Sequence, residues 1–148
     1  MERVPKLLAV IDYQNDFVTG SLGFEGAAAI DDGIARLAQT YLAQGDHVLF
    51  TYDTHDGTYL ETREGRALPI PHCNPEETGW RLYGKTQELC CETCANHQIH
   101  TVCKHALGMP PTELIKLGQE LPDLREIMVV GVVTNMCCLL YTSPSPRD

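Results

Sequence analysis

The sequence predicts an α/β fold, a three-layer structure in which a parallel sheet carries helices on both faces. Two features of the chain lead to this prediction. Four short apolar runs alternate with segments of helical spacing, and such alternation requires crossover connections between parallel strands. The clearest runs are also continuously apolar, which is typical of strands that are buried on both faces of a sheet.

The first half of the chain predicts two strands joined by a helix. Residues 6–12, KLLAVID, form a continuous apolar run that ends in an acid and suits a buried strand. Residues 27–44 carry apolar side chains at helical spacing, and Gly45 is placed to end that helix. Residues 47–52, HVLFTY, predict a second buried strand that is also followed by an acid.

The second half predicts a long loop, two helices and two further strands. Prolines, glycines and polar residues fill residues 54–79, which we interpret as a functional loop. Residues 86–96 predict a helix, and residues 99–104 predict a short third strand. Pro111 opens another helix, and residues 126–133, EIMVVGVV, form the fourth and most apolar strand.

Composition and charge exclude several classes of partner. The chain has 148 residues and 43% hydrophobic content, which fits one globular domain. A net charge of −9 argues against binding to nucleic acid or to an anionic membrane. The apolar runs are too short to span a bilayer and no signal peptide is visible, so we expect a cytoplasmic protein. Seven cysteines, an odd number, favour free thiols, a metal site or a nucleophile over disulfides.

Residues 141–148, YTSPSPRD, depart from the predicted pattern. A helix is expected after the fourth strand, but Ser-Pro-Ser-Pro cannot continue one, because each proline lacks an N–H group and clashes with the preceding turn. We therefore expect one domain over residues 1–140, truncated before its C-terminal strands. Residues 141–148 are expected to be a non-native or disordered tail.

Polar residues stand at the carboxyl end of each predicted strand or directly after it. Asp12, Asp53, Lys104 and the segment 134–138 all occupy such positions. In open parallel sheets, ligands bind beyond the carboxyl ends of the strands. These residues are therefore expected to meet at one edge of the sheet.

Three of these residues can perform nucleophilic chemistry together. Cys137 would stand on the first turn of a helix, where the helix dipole and free N–H groups stabilise a thiolate and an oxyanion. Asp12 can take the thiol proton, and the Lys104 ammonium can hold the charges in place. Taken singly, each residue has an ordinary explanation as a turn acid, a solvated lysine or a buried structural cysteine.

The loop after the second strand contains candidate metal ligands. Asp53, His55, Glu64 and His72 offer two imidazoles and two carboxylates, which suit zinc, iron or manganese. A turn at the strand end can bring alternate residues such as Asp53 and His55 near one point. From spacing alone, two unrelated surface histidines are an equally good explanation, and Glu61 competes with Glu64 for the fourth position.

The sequence CCETCANHQIH is a third candidate for chemistry. Cys91 and Cys94 form a CxxC pair, to which His97 or His100 can add a ligand. One such pair without a second is a weak zinc motif. Because Cys90 and Cys94 also lie one helical turn apart, we favour packing of small apolar side chains.

These residues together resemble the isochorismatase-like cysteine hydrolase superfamily, and within it the nicotinamidase branch, whose fold is Rossmann-like. AVIDYQNDF, residues 9–17, is similar to the family's first motif, which makes Asp12 the catalytic acid. In VCKHA the resemblance places the catalytic lysine at Lys104. The family motif G-x-x-T-[D/N]-x-C matches GVVTNMC, which selects Cys137 over Cys138 as the nucleophile.

The resemblance also implies a divalent metal, with zinc, iron and manganese as the candidates. Nicotinamidases bind it through Asp-x-His and a later histidine in a P-H-C-like sequence, which here are Asp53, His55 and His72. Glu64 matches a carboxylate variant of the remaining ligand. Isochorismatases proper lack this set, so its presence favours an amidase.

The implied reaction is hydrolysis of a small carboxamide to an acid and ammonia. Cys137, deprotonated with help from Asp12, attacks the amide carbon, and water hydrolyses the resulting thioester. The oxyanion would rest on backbone N–H groups of Val133 and Cys137, with a cis peptide between Val133 and Thr134. Phe17 matches a ring-packing position for the substrate.

Other interpretations remain open at the level of sequence. Ala67-Leu68-Pro69 stand where nicotinamidases often place an aromatic residue, so the exact amide is open and a ureido compound is an alternative substrate. A non-catalytic metal or redox module built on Cys91 and Cys94 is a third hypothesis. The expected partner is a small amide, and a homo-oligomer is compatible with the sequence.

Overall fold

The computed structural model describes residues 4–20, 22–24, 26–55, 58–70, 72–92, 96–105 and 110–132. Its strands are β1 (Lys6–Ile11), β2 (His47–Asp53), β3 (Ile99–Lys104) and β4 (Glu126–Gly131). Within the described residues they form one parallel sheet in the order β3-β2-β1-β4. The predicted parallel α/β sheet is confirmed, and every strand begins at its predicted residue.

The register of the sheet brings the carboxyl ends of its strands to one level. Ile11 of β1 lies beside Thr51 of β2 and Gly131 of β4. On the other side, Asp53 of β2 lies beside Lys104 of β3. Residues that follow the strands therefore emerge at a common edge.

The helices are α1 (Asn15–Val18), α2 (Asp31–Ala43), α3 (Arg63–Ala67), α4 (Gly84–Glu92) and α5 (Pro111–Glu120). The helix predicted over residues 27–44 starts with a 3-10 turn, Ala27–Ile30, and becomes α-helical from Asp31. Gly45, at φ +84°, follows the end of α2 as predicted, because glycine tolerates a left-handed conformation. No helix in the described part of the chain is long and apolar enough to cross a membrane.

The start of α4 differs from its prediction because a carboxylate from α2 caps it. Asp31 accepts hydrogen bonds from the backbone N–H groups of Lys85 (2.8 Å) and Thr86 (3.1 Å), which have no partner inside the helix. Gly84 allows this approach, since a Cβ there would lie 2.4 Å from Asp31 Oδ2. The helix therefore begins at Gly84, two residues before its predicted start at Thr86.

The segment predicted as a loop over residues 54–79 contains short helical turns. Tyr59–Glu61 and Thr78–Trp80 are 3-10 turns, and α3 lies between them. The four-residue helix α1 is likewise absent from the prediction. Elements of three to five residues are too short to show the apolar periodicity from which a helix is recognised.

Apolar side chains on both faces of the sheet pack against helices, as the three-layer prediction requires. On one face the buried cluster joins strand residues to α2 and α4, and includes Leu8, Val10, Val48, Phe50, Ile34, Ala38 and Leu89. On the other face the strands pack against α5 and the turn after it, through Leu7, Ala9, Ile11, Leu49, Val102, Leu117 and Leu121. Because successive strand residues point to opposite faces, one apolar run supplies both clusters.

Candidate active site

An acid and an ammonium group from two different strands meet at the carboxyl edge of the sheet. Lys104 is the last residue of β3, and Asp12 directly follows β1. Lys104 Nζ lies 2.7 Å from Asp12 Oδ2, and both residues are 0% exposed. Strand β2 runs between them, so the contact spans the width of that strand. The structure thus brings together two of the three residues expected to form the catalytic group.

Thr51 of β2 holds the other side of the Asp12 carboxylate. Its hydroxyl group donates a hydrogen bond to Asp12 Oδ1, and its main-chain carbonyl accepts the Asp12 N–H at 3.2 Å. Asp12 has φ +50°, a left-handed conformation that is unusual for residues other than glycine. A hydroxyl and an ammonium group therefore engage both oxygens of a carboxylate in an uncommon backbone conformation.

Two histidines and a carboxylate form a buried donor group beside this pair. Asp53 Oδ1 lies 2.9 Å from His55 Nε2, and Asp53 Oδ2 lies 3.2 Å from His72 Nε2. The three ligand atoms all lie within 4.8 Å of one another, and all three residues are buried. The alternative explanation, two unrelated surface histidines, is therefore wrong.

The orientation of His72 indicates that a positive charge belongs between its ring and Asp53. His72 Nδ1 lies 2.7 Å from the Ile70 carbonyl, which can only accept, so Nδ1 carries a proton. In neutral His72 the Nε2 lone pair then faces Asp53 Oδ2, and two lone pairs at 3.2 Å repel. A second ring proton or a metal ion removes that repulsion.

The charge state of Asp53 also fits a metal ligand. Burial raises the pKa of a carboxyl group, but hydrogen bonds from His55 and from His72 with its Nε2 protonated outweigh it and lower the pKa of Asp53 to about 2. Asp53 is therefore ionised at neutral pH, as a ligand must be. Two imidazoles and one carboxylate suit zinc, iron or manganese, so the donor set fits the implied metal.

The remaining predicted ligand is only partly described. Glu64 belongs to α3, but its side chain lies outside the described residues. Glu61, its competitor, is exposed and is not part of the three-residue donor group. The described structure therefore gives no support to Glu61 as a ligand.

The predicted nucleophile and oxyanion residues lie outside the described residues. This applies to Cys137, to Val133 and Thr134, and to the cis peptide expected between the last two. The described chain ends at Val132, one residue after β4. Their approach to Asp12 stays a prediction.

Aromatic rings pack around the histidines. The predicted residue Phe17, on α1, lies edge-on to His72 with ring centroids 5.5 Å apart. Tyr59 contacts both imidazoles, with centroid distances of 4.3 Å to His55 and 5.0 Å to His72. Tyr59 belongs to no sequence motif. Its position in the chain between the predicted ligands His55 and His72 was the available signal.

Gln14 is a second site residue that sequence reasoning misses. It is completely buried, and its side-chain amide hydrogen-bonds the backbone of Asp53. The residue lies inside the motif AVIDYQNDF, where a polar residue two positions after the predicted acid was the available signal.

The cysteine cluster at the end of α4 is described only in part. Cys90 is buried in the core, where its Sγ lies 3.8 Å from the Tyr52 hydroxyl. The side chains of Cys91 and Cys94 lie outside the described residues. Among the described residues, the group of Asp53, His55 and His72 is the sole one with three potential metal donors. For Cys90, the structure agrees with the favoured packing interpretation.

Comparisons with known proteins place this chain in a family. The family model described as "Isochorismatase domain" matches residues 6–142. The isochorismatase family protein PncA of Bacillus subtilis is 29% identical over 137 residues, which cover 90% of this chain and 74% of that protein. That relative is described as uncharacterized.

Solved structures give the same result. The nicotinamidase/pyrazinamidase PncA from Bacillus subtilis superposes with a TM-score of 0.84 at 29% identity, covering 94% of this chain and 78% of that one. The pyrazinamidase/nicotinamidase from Streptococcus mutans superposes with a TM-score of 0.81 at 28% identity, covering 90% and 75%. The chain is therefore a member of the isochorismatase family of hydrolases, and these two solved structures belong to the nicotinamidase branch of that family.

Proposed function

We propose that this protein is a metal-containing amidohydrolase that converts a small, nicotinamide-like carboxamide to the acid and ammonia. The observation that carries the proposal is the buried contact between Asp12 and Lys104 next to a metal-binding donor group. Lys104 Nζ lies 2.7 Å from Asp12 Oδ2 without exposure of either residue. Lys104 is also the register neighbour of Asp53.

Burial of this ion pair has a physical cost that favours a functional explanation. Removing two charges from water costs several kcal/mol per ion, and well-packed apolar residues often stabilise a core as well or better. Buried charged groups with specific charged partners are frequent in active sites. The same edge also carries the ionised Asp53, so three charged side chains converge there.

The chemistry follows from the roles that these groups can perform. The Asp12 carboxylate takes the thiol proton of Cys137, and the thiolate attacks the amide carbon. Lys104 holds the Asp12 carboxylate in position through the 2.7 Å contact. The amide nitrogen takes the proton that Asp12 accepted and leaves as ammonia. Water then attacks the thioester, which releases the acid and returns the Cys137 thiol. The backbone N–H groups of Val133, Thr134 and Cys137 are the candidates for binding the oxyanion.

The donor group of Asp53, His55 and His72, with Glu64 as the proposed further ligand, would hold the divalent metal. Bound there, the metal supplies a Lewis-acidic position for a heteroaromatic ring nitrogen or a water molecule. Phe17 and Tyr59 are buried and pack against the ligand rings.

An ammonia-release assay tests the proposal on the full chain supplied with Zn²⁺, Fe²⁺ or Mn²⁺. Nicotinamide, pyrazinamide and a ureido compound are offered in parallel. Isochorismate, a substrate of another reaction class that contains no nitrogen, is offered in a separate assay that follows its own disappearance. We expect ammonia from a carboxamide, and a loss of at least about 1,000-fold in Cys137→Ala, because the nucleophile is removed.

The adjacent cysteine provides a matched control. Cys138→Ala removes a thiol one residue away and should retain activity, since the family motif selects Cys137. Activity that survives Cys137→Ala but not Cys138→Ala would contradict the assignment. Turnover of the ureido compound alone would show that the substrate is a ureido compound and not a carboxamide. Turnover of isochorismate alone would overturn the amidase proposal.

A further inference from the structure

The Gln14 side chain forms hydrogen bonds with the backbone N–H and carbonyl groups of Asp53, a candidate metal ligand. Gln14 Oε1 accepts the Asp53 N–H at 2.8 Å, and Gln14 Nε2 donates to the Asp53 carbonyl at 3.0 Å. The second N–H of the same amide donates to the Trp80 carbonyl at 2.6 Å. One buried amide therefore uses its acceptor and both of its donors, and it fixes the backbone at the end of β2.

Asp16 makes a comparable connection to the segment that carries His72. Its Oδ2 accepts the backbone N–H of Cys73 at 2.6 Å, and the Cys73 carbonyl in turn accepts the N–H of His55 at 3.0 Å. Cys73 has φ +53°, which a residue other than glycine rarely adopts unless its surroundings hold it there. Asp16 is thus linked through one residue to the backbones of both candidate histidine ligands.

Close backbone packing leaves the Asp16 carboxylate little freedom. A Cβ at Gly79 would lie 2.3 Å from both carboxylate oxygens, and a Cβ at Gly20 would lie 2.3 Å from Oδ1. Two glycines thus permit the backbone to enclose this side chain. The carboxylate is held in the orientation in which it accepts the Cys73 N–H.

We propose that Gln14 and Asp16 are positioning residues that hold Asp53, His55 and His72 in metal-binding geometry and thereby set the affinity for a divalent cation. The inference rests on the metal site of the proposed function. Neither residue is a member of the donor group, and both act through the backbone of a ligand or its neighbour. Partners of this kind typically change metal affinity by roughly 10- to 100-fold when removed.

A purely structural role predicts a different result. If Gln14 only satisfied buried backbone groups, its replacement would lower the melting temperature of the metal-free protein and leave the Zn²⁺ affinity of folded molecules unchanged. A positioning role lowers that affinity in molecules that remain folded. The two explanations are separated when the melting temperature and the dissociation constant are measured on the same sample.

The experiment is a Zn²⁺ titration of the metal-free full chain in competition with a chromophoric chelator. Gln14→Glu keeps the shape and one acceptor but removes both donors, and Asp16→Ala removes the acceptor for Cys73. We expect both to weaken Zn²⁺ binding by roughly 10- to 100-fold. Asp16→Asn retains an acceptor oxygen and should restore most of the affinity.

Asn15 supplies the matched control. Its side-chain amide, between the two proposed residues in sequence, donates at 2.9 Å to the Thr78 carbonyl on the exposed side of the segment. Asn15→Ala should therefore bind Zn²⁺ as the wild type does. Near-UV circular dichroism verifies that each variant is folded before its affinity is compared.

The titration distinguishes failure of the positioning role from failure of the metal site itself. Wild-type affinity in both folded Gln14→Glu and folded Asp16→Ala would overturn the positioning role while leaving the metal site in place. Wild-type affinity in His72→Ala, which removes a donor of the group itself, would overturn the proposed metal site and this inference with it.

Discussion

The two ends of the parallel sheet both carry histidines and carboxylates, but their surroundings differ. At the carboxyl end, Asp53, His55 and His72 are buried, and the fully buried pair of Asp12 and Lys104 lies beside them. At the amino end, His47 Nδ1 lies 3.1 Å from His100 Nε2. His100 Nδ1 in turn lies 3.3 Å from a Glu120 carboxylate that is 43% exposed.

The comparison teaches that residue type alone does not make a site. At the amino end, two neighbouring strands place two imidazoles side by side, and solvent reaches the carboxylate next to them. At the carboxyl end, residues after β1 hydrogen-bond the backbone of the last residue of β2 and that of Cys73. Convergence of several chain segments, with fixed backbone partners, distinguishes the candidate site from a contact between neighbours.

The largest effect is expected from breaking the buried ion pair. Lys104→Met leaves the Asp12 carboxylate without its ammonium partner in a site closed to water, so the free energy of unfolding should fall by about 3–5 kcal/mol. Urea unfolding measures this change. Ammonia release should also be lost, because Asp12 loses the contact that holds it in position.

A surface pair of the same length is the control. Lys85 Nζ lies 2.7 Å from Asp32 Oδ1, but both side chains are more than half exposed. Lys85→Met should change the unfolding midpoint little, because water and salt screen an exposed pair. An equal fall in the free energy of unfolding in Lys104→Met and Lys85→Met would show that burial does not strengthen the contact, contrary to the prediction.

An intermediate effect is expected from the metal donors. Excess Zn²⁺ should stabilise the wild type, by about 2.7 kcal/mol at 100 times the dissociation constant. His55→Ala should lose most of this stabilisation, and His47→Ala at the opposite end of the sheet should retain it. Melting curves with and without Zn²⁺ provide the measurement. A Zn²⁺ effect that is lost in His47→Ala and not in His55→Ala would place the metal site at the amino end of the sheet and contradict the proposal.

The smallest effect is expected from pH at the amino end. Burial lowers the pKa of both His47 and His100, although Glu120 opposes this at His100. An unfolded histidine has a pKa of about 6.5, so between that value and the lower folded pKa the unfolded state binds more protons. Stability should therefore be complete above about pH 6.5 and fall as the pH drops below it.

Unfolding midpoints across pH 5 to 8 check this expectation. His100→Gln should reduce the slope, and the double variant with His47→Asn should reduce it further. An undiminished slope in the double variant would assign the pH dependence to other groups.

Most of the fold can be predicted because its signals are local. All strands start where their apolar runs start, and α5 begins at Pro111, a residue suited to the first turn of a helix. The start of α4 cannot be predicted in this way, since the carboxylate that caps it comes from Asp31 of another helix. Short helices such as α1 are missed because one turn shows no period.

The candidate site can likewise be divided into features that local sequence predicts and features that depend on long-range contacts. The sequence by itself determines which side chains follow the strands, and therefore that Asp12, Asp53 and Lys104 belong to one edge. Only the tertiary structure decides that Asp12 pairs with Lys104 and that Gln14 holds the backbone of Asp53. These contacts join residues far apart in the chain, and they depend on strand order and register, which apolar periodicity does not encode.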